Sequence, residues 1–151
     1  GRKGALVTRL DSPGCSVINT HPASNYDGDW SPANRFYPMH RAQLNALTTV
    51  LRDTDGPVVV CGDFNIDRDS ALFRDFVRDT GLTDAFCGTC PPTFRAEFLP
   101  AGETSHCIDF ILTTDTVKAT DASLLFADKQ PLRGGLAFLS DHIGLYARLS
   151  L

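Results

Sequence analysis

The stretch Pro57-Val58-Val59-Val60-Cys61-Gly62-Asp63-Phe64-Asn65 decides the fold. Three consecutive β-branched residues after a Gly-Pro break predict a short strand buried on both faces. Gly62 marks its end, where a backbone can bend or let another group come close. Asp63 and Asn65 then stand two residues apart, on one side of the chain while it stays extended. A carboxylate beside a carboxamide suits a hard cation, a phosphate oxygen or an attacking water. Gly, Asp and Asn also favour turns, so this stretch alone reads equally well as a turn.

Three further polar insertions favour the chemical reading. Asn19-Thr20-His21 follows the apolar run Val17-Ile18. Ile108-Asp109-Phe110-Ile111-Leu112 sets one acid inside a buried strand, and Ser140-Asp141-His142 opens the last strand. In order and content these four segments resemble the NTH, GDFN, IDYIL-type and SDH motifs of the endonuclease/exonuclease/phosphatase superfamily. That superfamily includes pancreatic-type deoxyribonucleases, abasic-site endonucleases, inositol polyphosphate phosphatases and neutral sphingomyelinases. Any one motif is a weak signal, whereas four in order over nearly the whole chain are a strong one.

Length and composition bound the answer. The chain has 151 residues, 42% hydrophobic and 21% charged, ordinary values for one globular domain. The net charge of −4 and the lack of any Lys/Arg run lean against a dedicated duplex-DNA binder. A nuclease stays open, because bound cations supply part of a positive field. No segment has the apolar length that spans a bilayer. Gly1 to Val7 read as the approach to an internal strand, which the family pattern places near mid-domain. The resemblance therefore implies that residues 1–151 are one domain, the C-terminal portion of a longer one.

Gly4–Leu10 and Cys15–Thr20 read as strands joined by the Asp11-Ser12-Pro13-Gly14 turn. A long loop, Pro22 to Tyr37, carries Tyr26, Trp30, Phe36 and Tyr37; these fold back as a small core or face a substrate. Pro38 to about Arg52 predicts a helix with Leu44, Leu47 and Leu51 on its apolar stripe. A second helix, capped by Asp67 or Asp69, runs to Thr80 and stops at Gly81, with Leu72, Phe73, Phe76 and Val77 as its stripe. The Gly81–Phe86 segment resembles one that follows the GDxN motif in sphingomyelinase-type members. Strands are expected from Thr93, over His106–Leu112, over Val117–Phe126 and over Ile143–Leu149, with a loop from Asp128 to Gly135. Two helices and about seven strands predict an α/β layered β-sandwich with flanking helices.

The resemblance also implies roles. Asp63 and Asn65 would position the nucleophilic water or a metal, the Asn amide also donating to phosphate. His142 would be general base or phosphate ligand, oriented by Asp109. His21 would touch a phosphate oxygen or assist the leaving group, and Asp141 would hold a metal or one of its waters. Mg2+ is the expected cofactor, with Mn2+ as an alternative, because the ligands are rich in oxygen. The substrate would be a phosphate ester: a phospholipid head group, a nucleic acid or a small phosphodiester.

His40 and His106 read as surface or internally satisfied residues. Cys87-Gly88-Thr89-Cys90 offers a small-loop disulfide, free thiols, or a zinc set with His106 and Cys107; Pro91-Pro92 rules out a redox helix there. One departure from the family stands out. Its principal metal-binding Glu, preceded by Asn, lies in the N-terminal half, whereas this chain has only Glu97 and Glu103, both in a late loop. A preceding segment or a partner chain would supply it, or the chain is a non-catalytic module.

Overall fold

A computed structural model describes residues 3–151. The β-branched run forms β3 (Val58–Asp63) at the centre of a five-stranded sheet. Its neighbours are β2 (Cys15–Thr20), which runs parallel to it, and β5 (Asp109–Thr113), which runs antiparallel. β1 (Ala5–Leu10) pairs outside β2, and the two-residue β4 (Thr83–Asp84) outside β5. In chain order the remaining elements are α1 (Tyr37–Arg52), α2 (Ala71–Thr80), a 3-10 turn at Ala96–Phe98, β6 (Lys118–Leu125), β7 (Gln130–Leu132), β8 (Gly135–Ala137) and β9 (Gly144–Ser150).

Period-2 alternation gives the sheet two apolar faces. On one, Ile18, Val58, Val60, Phe110 and Leu112 meet Leu44 and Leu47 of α1 and Leu72, Phe73 and Phe76 of α2. Phe110 stacks on Phe73 with ring centroids 4.1 Å apart and takes the edge of Phe64 at 5.3 Å. On the other, Cys15, Val59 and Val117 gather with Val17, Ile111 and Leu149. β6 and β9 pair with each other on this side. The result is a layered α/β fold, as expected. β1 remains open, with Leu6, Val7 and Leu10 exposed. No helix among the described residues is long and apolar enough to cross a membrane.

Several local expectations are corrected. The cap of α2 is Ser70, whose Oγ accepts from Phe73 N at 3.1 Å; Asp67 turns to His106 instead. The strand expected from Thr93 is a single bridge between Phe94 and His142. The stretch from Asp128 holds the β7–β8 hairpin, whose three-residue strands are too short to carry a period. Gly81 closes α2 at φ 69°, as expected.

Candidate active site

The four polar insertions meet at one end of the sheet, for reasons of strand direction. β2 and β3 are parallel, so His21 leaves the sheet beside Asp63. Gly62 permits the close approach: a Cβ there would lie 2.0 Å from Thr20 O. β3 and β5 are antiparallel, and their register sets Asp63 directly opposite Asp109. Like charges placed so are destabilising, a cost that folds keep where a site needs it. The Phe94–His142 bridge brings in the segment before β9.

Asp63 Oδ2 is the meeting point. His21 Nε2 lies 3.5 Å from it and His142 Nε2 3.9 Å. His142 Nδ1 lies 2.8 Å from Asp109 Oδ2, which fixes the ring and turns Nε2 toward Asp63. Asn65 N donates to Asp63 Oδ1 at 2.8 Å. Asn65 Nδ2 donates to Asp63 Oδ2 and to Pro22 O, each at 3.2 Å. Both amide protons are therefore committed. Asn65 orients Asp63 here and offers only its Oδ1, rather than a free donor for phosphate.

Burial pushes the Asp63 carboxyl up, and the Asp109 charge adds to this; the Asn65 hydrogen bond and the two histidines oppose it. The hydrogen bond to Asp109 raises His142 above the usual imidazole range, against the lowering effect of burial. Asp141 is exposed and stands outside the Asp63–Asp109–His142 group, although its charge also raises His142. Its Oδ1 accepts from Ser140 Oγ at 3.2 Å, though it still lines the same cleft.

Asp63, Asp109 and His142 form a group whose ligand atoms lie within 4.8 Å of one another, and they could hold a metal ion. The donors fit a hard divalent cation, since two carboxylates face each other in a cleft whose lining includes no Lys or Arg. A cation there would relieve the Asp109 repulsion that adds to the effect of burial on Asp63. The expected set of Asp63, Asn65 and Asp141 shares only Asp63 with this group.

Several residues that shape the site had no local signal. Thr93 is fully buried; its Oγ1 accepts from Ile108 N and Asp109 N at 3.0 and 3.1 Å, and its O accepts from Ile143 N at 2.8 Å. It ties the starts of β5 and β9 together. Phe94 sets its ring edge-on to His142, centroids 5.0 Å apart. Arg95, 4% exposed, donates to Ser140 O and Ala127 O at 2.9 and 2.7 Å, and to Phe126 O.

The long loop folds partly inward, and Trp30 Nε1 donates to Asn65 O at 2.9 Å. Tyr26, in contrast, is 80% exposed at the cleft rim. His40 is buried but only half satisfied: its Nε2 lies 2.9 Å from Ala23 O, whereas Nδ1 has no partner among the described residues. His106 was expected to be similarly uninvolved, yet it lines the cleft. All five cysteines are free thiols, and no cysteine joins a metal-type cluster among the described residues.

The sequence matches the Endonuclease/Exonuclease/phosphatase family over residues 3–142, and the chain belongs to that family. No curated protein matches it. Among solved structures it is similar to a mannosyl-6-phosphatase from Bacteroides thetaiotaomicron: 18% identity, TM-score 0.67, 95% of this chain and 54% of that one. An endonuclease/exonuclease/phosphatase from Beutenbergia cavernae gives 22% identity and TM-score 0.71, over 99% of this chain and 40% of that one. The human Nocturnin catalytic domain with bound sulfate gives 19% identity and TM-score 0.62, over 97% and 51%. At these identities the likeness establishes the fold. The chain spans about half the length of these structures.

Proposed function

We propose that this chain carries most of the site of a divalent-metal-dependent phosphate-ester hydrolase, a phosphodiesterase of sphingomyelinase-like or uncharacterised bacterial type. One observation carries the reading: the Asp63 carboxylate sits within reach of two imidazoles, one of them fixed by a second carboxylate. Asp63, with Asp109 or Asn65 Oδ1, would hold a divalent cation, which would supply charge neutralisation on the phosphoryl oxygens. His142 Nε2 accepts a proton from the attacking water, with Asp109 stabilising the imidazolium that forms. Asp63, oriented by Asn65, holds that water. His21, exposed at the strand end, contacts a phosphoryl oxygen or the departing oxygen.

We further propose that residues 1–151 form the C-terminal portion of the domain and that a preceding segment or a partner chain supplies a metal-binding Glu. The share of related structures covered and the open β1 support this. DNA cleavage is the weaker reading, because the described cleft offers a polyanion no Lys or Arg.

Calorimetric titration of Mg2+ into the full-length protein, with bis-p-nitrophenyl phosphate, sphingomyelin and supercoiled plasmid as substrates, tests the reading. Asp63→Ala and His142→Ala are each expected to lower turnover by about 100-fold or more while the fold is kept. Near-normal turnover in either would refute the assigned roles, and absent Mg2+ binding would favour a non-catalytic module.

A further inference from the structure

His21 is the most exposed of the side chains to which the proposed hydrolysis gives a role, its side chain 58% exposed. Its 3.5 Å approach to Asp63 Oδ2 is a weak tether for an imidazole in contact with water. The ring must therefore be placed by the backbone that carries it. On one side that backbone is β2, which ends at Thr20. On the other it enters the long loop that leads to α1, and irregular chain is mobile unless something holds it.

Two side chains of α1 hold it. His40 and Gln43 stand three residues apart on one face of the helix and converge on Ala23. Gln43 Oε1 accepts from Ala23 N at 3.1 Å, and His40 Nε2 donates to Ala23 O at 2.9 Å. Both polar backbone groups of Ala23, two residues beyond His21, are thus fastened to a helix whose Leu44 and Leu47 sit in the core. Asn65 Nδ2 donates to Pro22 O at 3.2 Å, which seats the same segment against the end of β3.

His40 makes this bond at a cost. Ala23 O can only accept, so Nε2 carries the ring proton and the neutral ring leaves Nδ1 as a bare acceptor. His40 is 0% exposed, and Nδ1 has no partner among the described residues. A buried acceptor without a donor gives back about what the bond to Ala23 gains, so His40 adds little to stability. Its use is in what it holds. Asp63 does not depend on the clamp, because Asn65 N and Nδ2 reach it directly. His21 has no such second anchor.

Resting on the hydrolase reading, we propose that His40 and Gln43 are positioning residues: by clamping Ala23 to α1 they keep the His21 imidazole beside Asp63, in reach of the phosphoryl group.

The test joins amide exchange by NMR to turnover by the full-length protein with saturating Mg2+, on whichever of the three substrates named above it hydrolyses fastest. In the unsubstituted protein the Ala23 amide should exchange about tenfold or more slower than those of Ser24 and Asn25. H40L and Q43L should each lower turnover about tenfold or more, since misplacing a reacting group by about 1 Å can cost about 100-fold. H40Q keeps a donor and Q43E an acceptor at similar reach, so each should recover most of the loss. Added to H21A, H40L and Q43L should lower turnover no further, a non-additivity that general loosening of the fold does not give. Gln43 is half-buried, so Q43L carries the same test if H40L does not fold.

A fast Ala23 amide in the unsubstituted protein would overturn the clamp. Unchanged turnover in Q43L, no recovery in H40Q and Q43E, or a further loss in H21A/Q43L would overturn the positioning role and leave the hydrolase reading standing. If the unsubstituted protein hydrolyses none of the substrates, the hydrolase reading fails and the positioning role goes with it, however slowly the Ala23 amide exchanges.

Discussion

Gly62→Ala is the substitution whose outcome the structure fixes most tightly. Gly62 has φ 136°, and a Cβ there would lie 2.0 Å from Thr20 O and 3.1 Å from Thr20 C. A carbon and a carbonyl oxygen need about 3.3 Å, so β2 and β3 would have to part by more than ~1 Å where His21 and Asp63 leave the sheet. The backbone conformation itself costs an L-residue about 1–2 kcal/mol. Displacing packed strands costs about 1–3 kcal/mol more. The total, about 4 kcal/mol, is a large share of a typical 5–15 kcal/mol stability.

Gly81→Ala is the control. Its φ of 69° is also left-handed, but nothing lies within 4 Å of the added carbon, so only about 1 kcal/mol is at stake. At this chain length 1 kcal/mol moves Tm by about 2–4 °C. Thermal unfolding followed by circular dichroism should therefore drop by about 10 °C for Gly62→Ala and by about 3 °C for Gly81→Ala. Equal Tm values would show that the strands relax freely, and that the close approach does not set His21 beside Asp63.

Asp109→Asn removes the group that holds His142 above its usual range, so the acid limb of the rate–pH profile should move to lower pH. The plateau should also fall by about 10–100-fold as the ring loses its orientation; an unmoved limb would exclude His142 as the titrating base. Arg95→Met leaves three carbonyls without a donor and should cost about 2–4 kcal/mol in urea unfolding, with Arg95→Lys recovering only part because an ammonium cannot fork. Full recovery by Lys would contradict that account. Burial holds His40 below its usual range, against the pull of Ala23 O. The unfolded chain takes up a proton below about pH 6.5 that the folded chain refuses. Stability is thus full above that pH and falls as pH drops below it, by up to about 1.4 kcal/mol per unit. Urea midpoints at pH 7 and 5.5 should differ less in His40→Gln, and an identical difference would refute this assignment.

The central strand, both helices and the order of the polar insertions are legible along the chain, because each is a local pattern. Val58–Val60 are β-branched without interruption, and α1 and α2 carry apolar stripes at helical spacing. Gly81 stands where a left-handed cap is needed. The same patterns placed the chain in its family and singled out His21, Asp63, Asn65, Asp109 and His142. The two-residue β4 and the β7–β8 hairpin leave no such pattern, since elements so short cannot display a period.

Which side chains touch is set by how the strands and loops are brought together in space. The opposition of Asp63 and Asp109 follows from one strand register. Asp67 could have capped α2, but His106, thirty-nine residues away in the chain, takes its carboxylate. Arg95 and Thr93 anchor the His142 segment through backbone carbonyls and amides, partners that carry no residue-type signal. Such pairings depend on register and on the paths of loops. Neither is written in the spacing of residues along the chain.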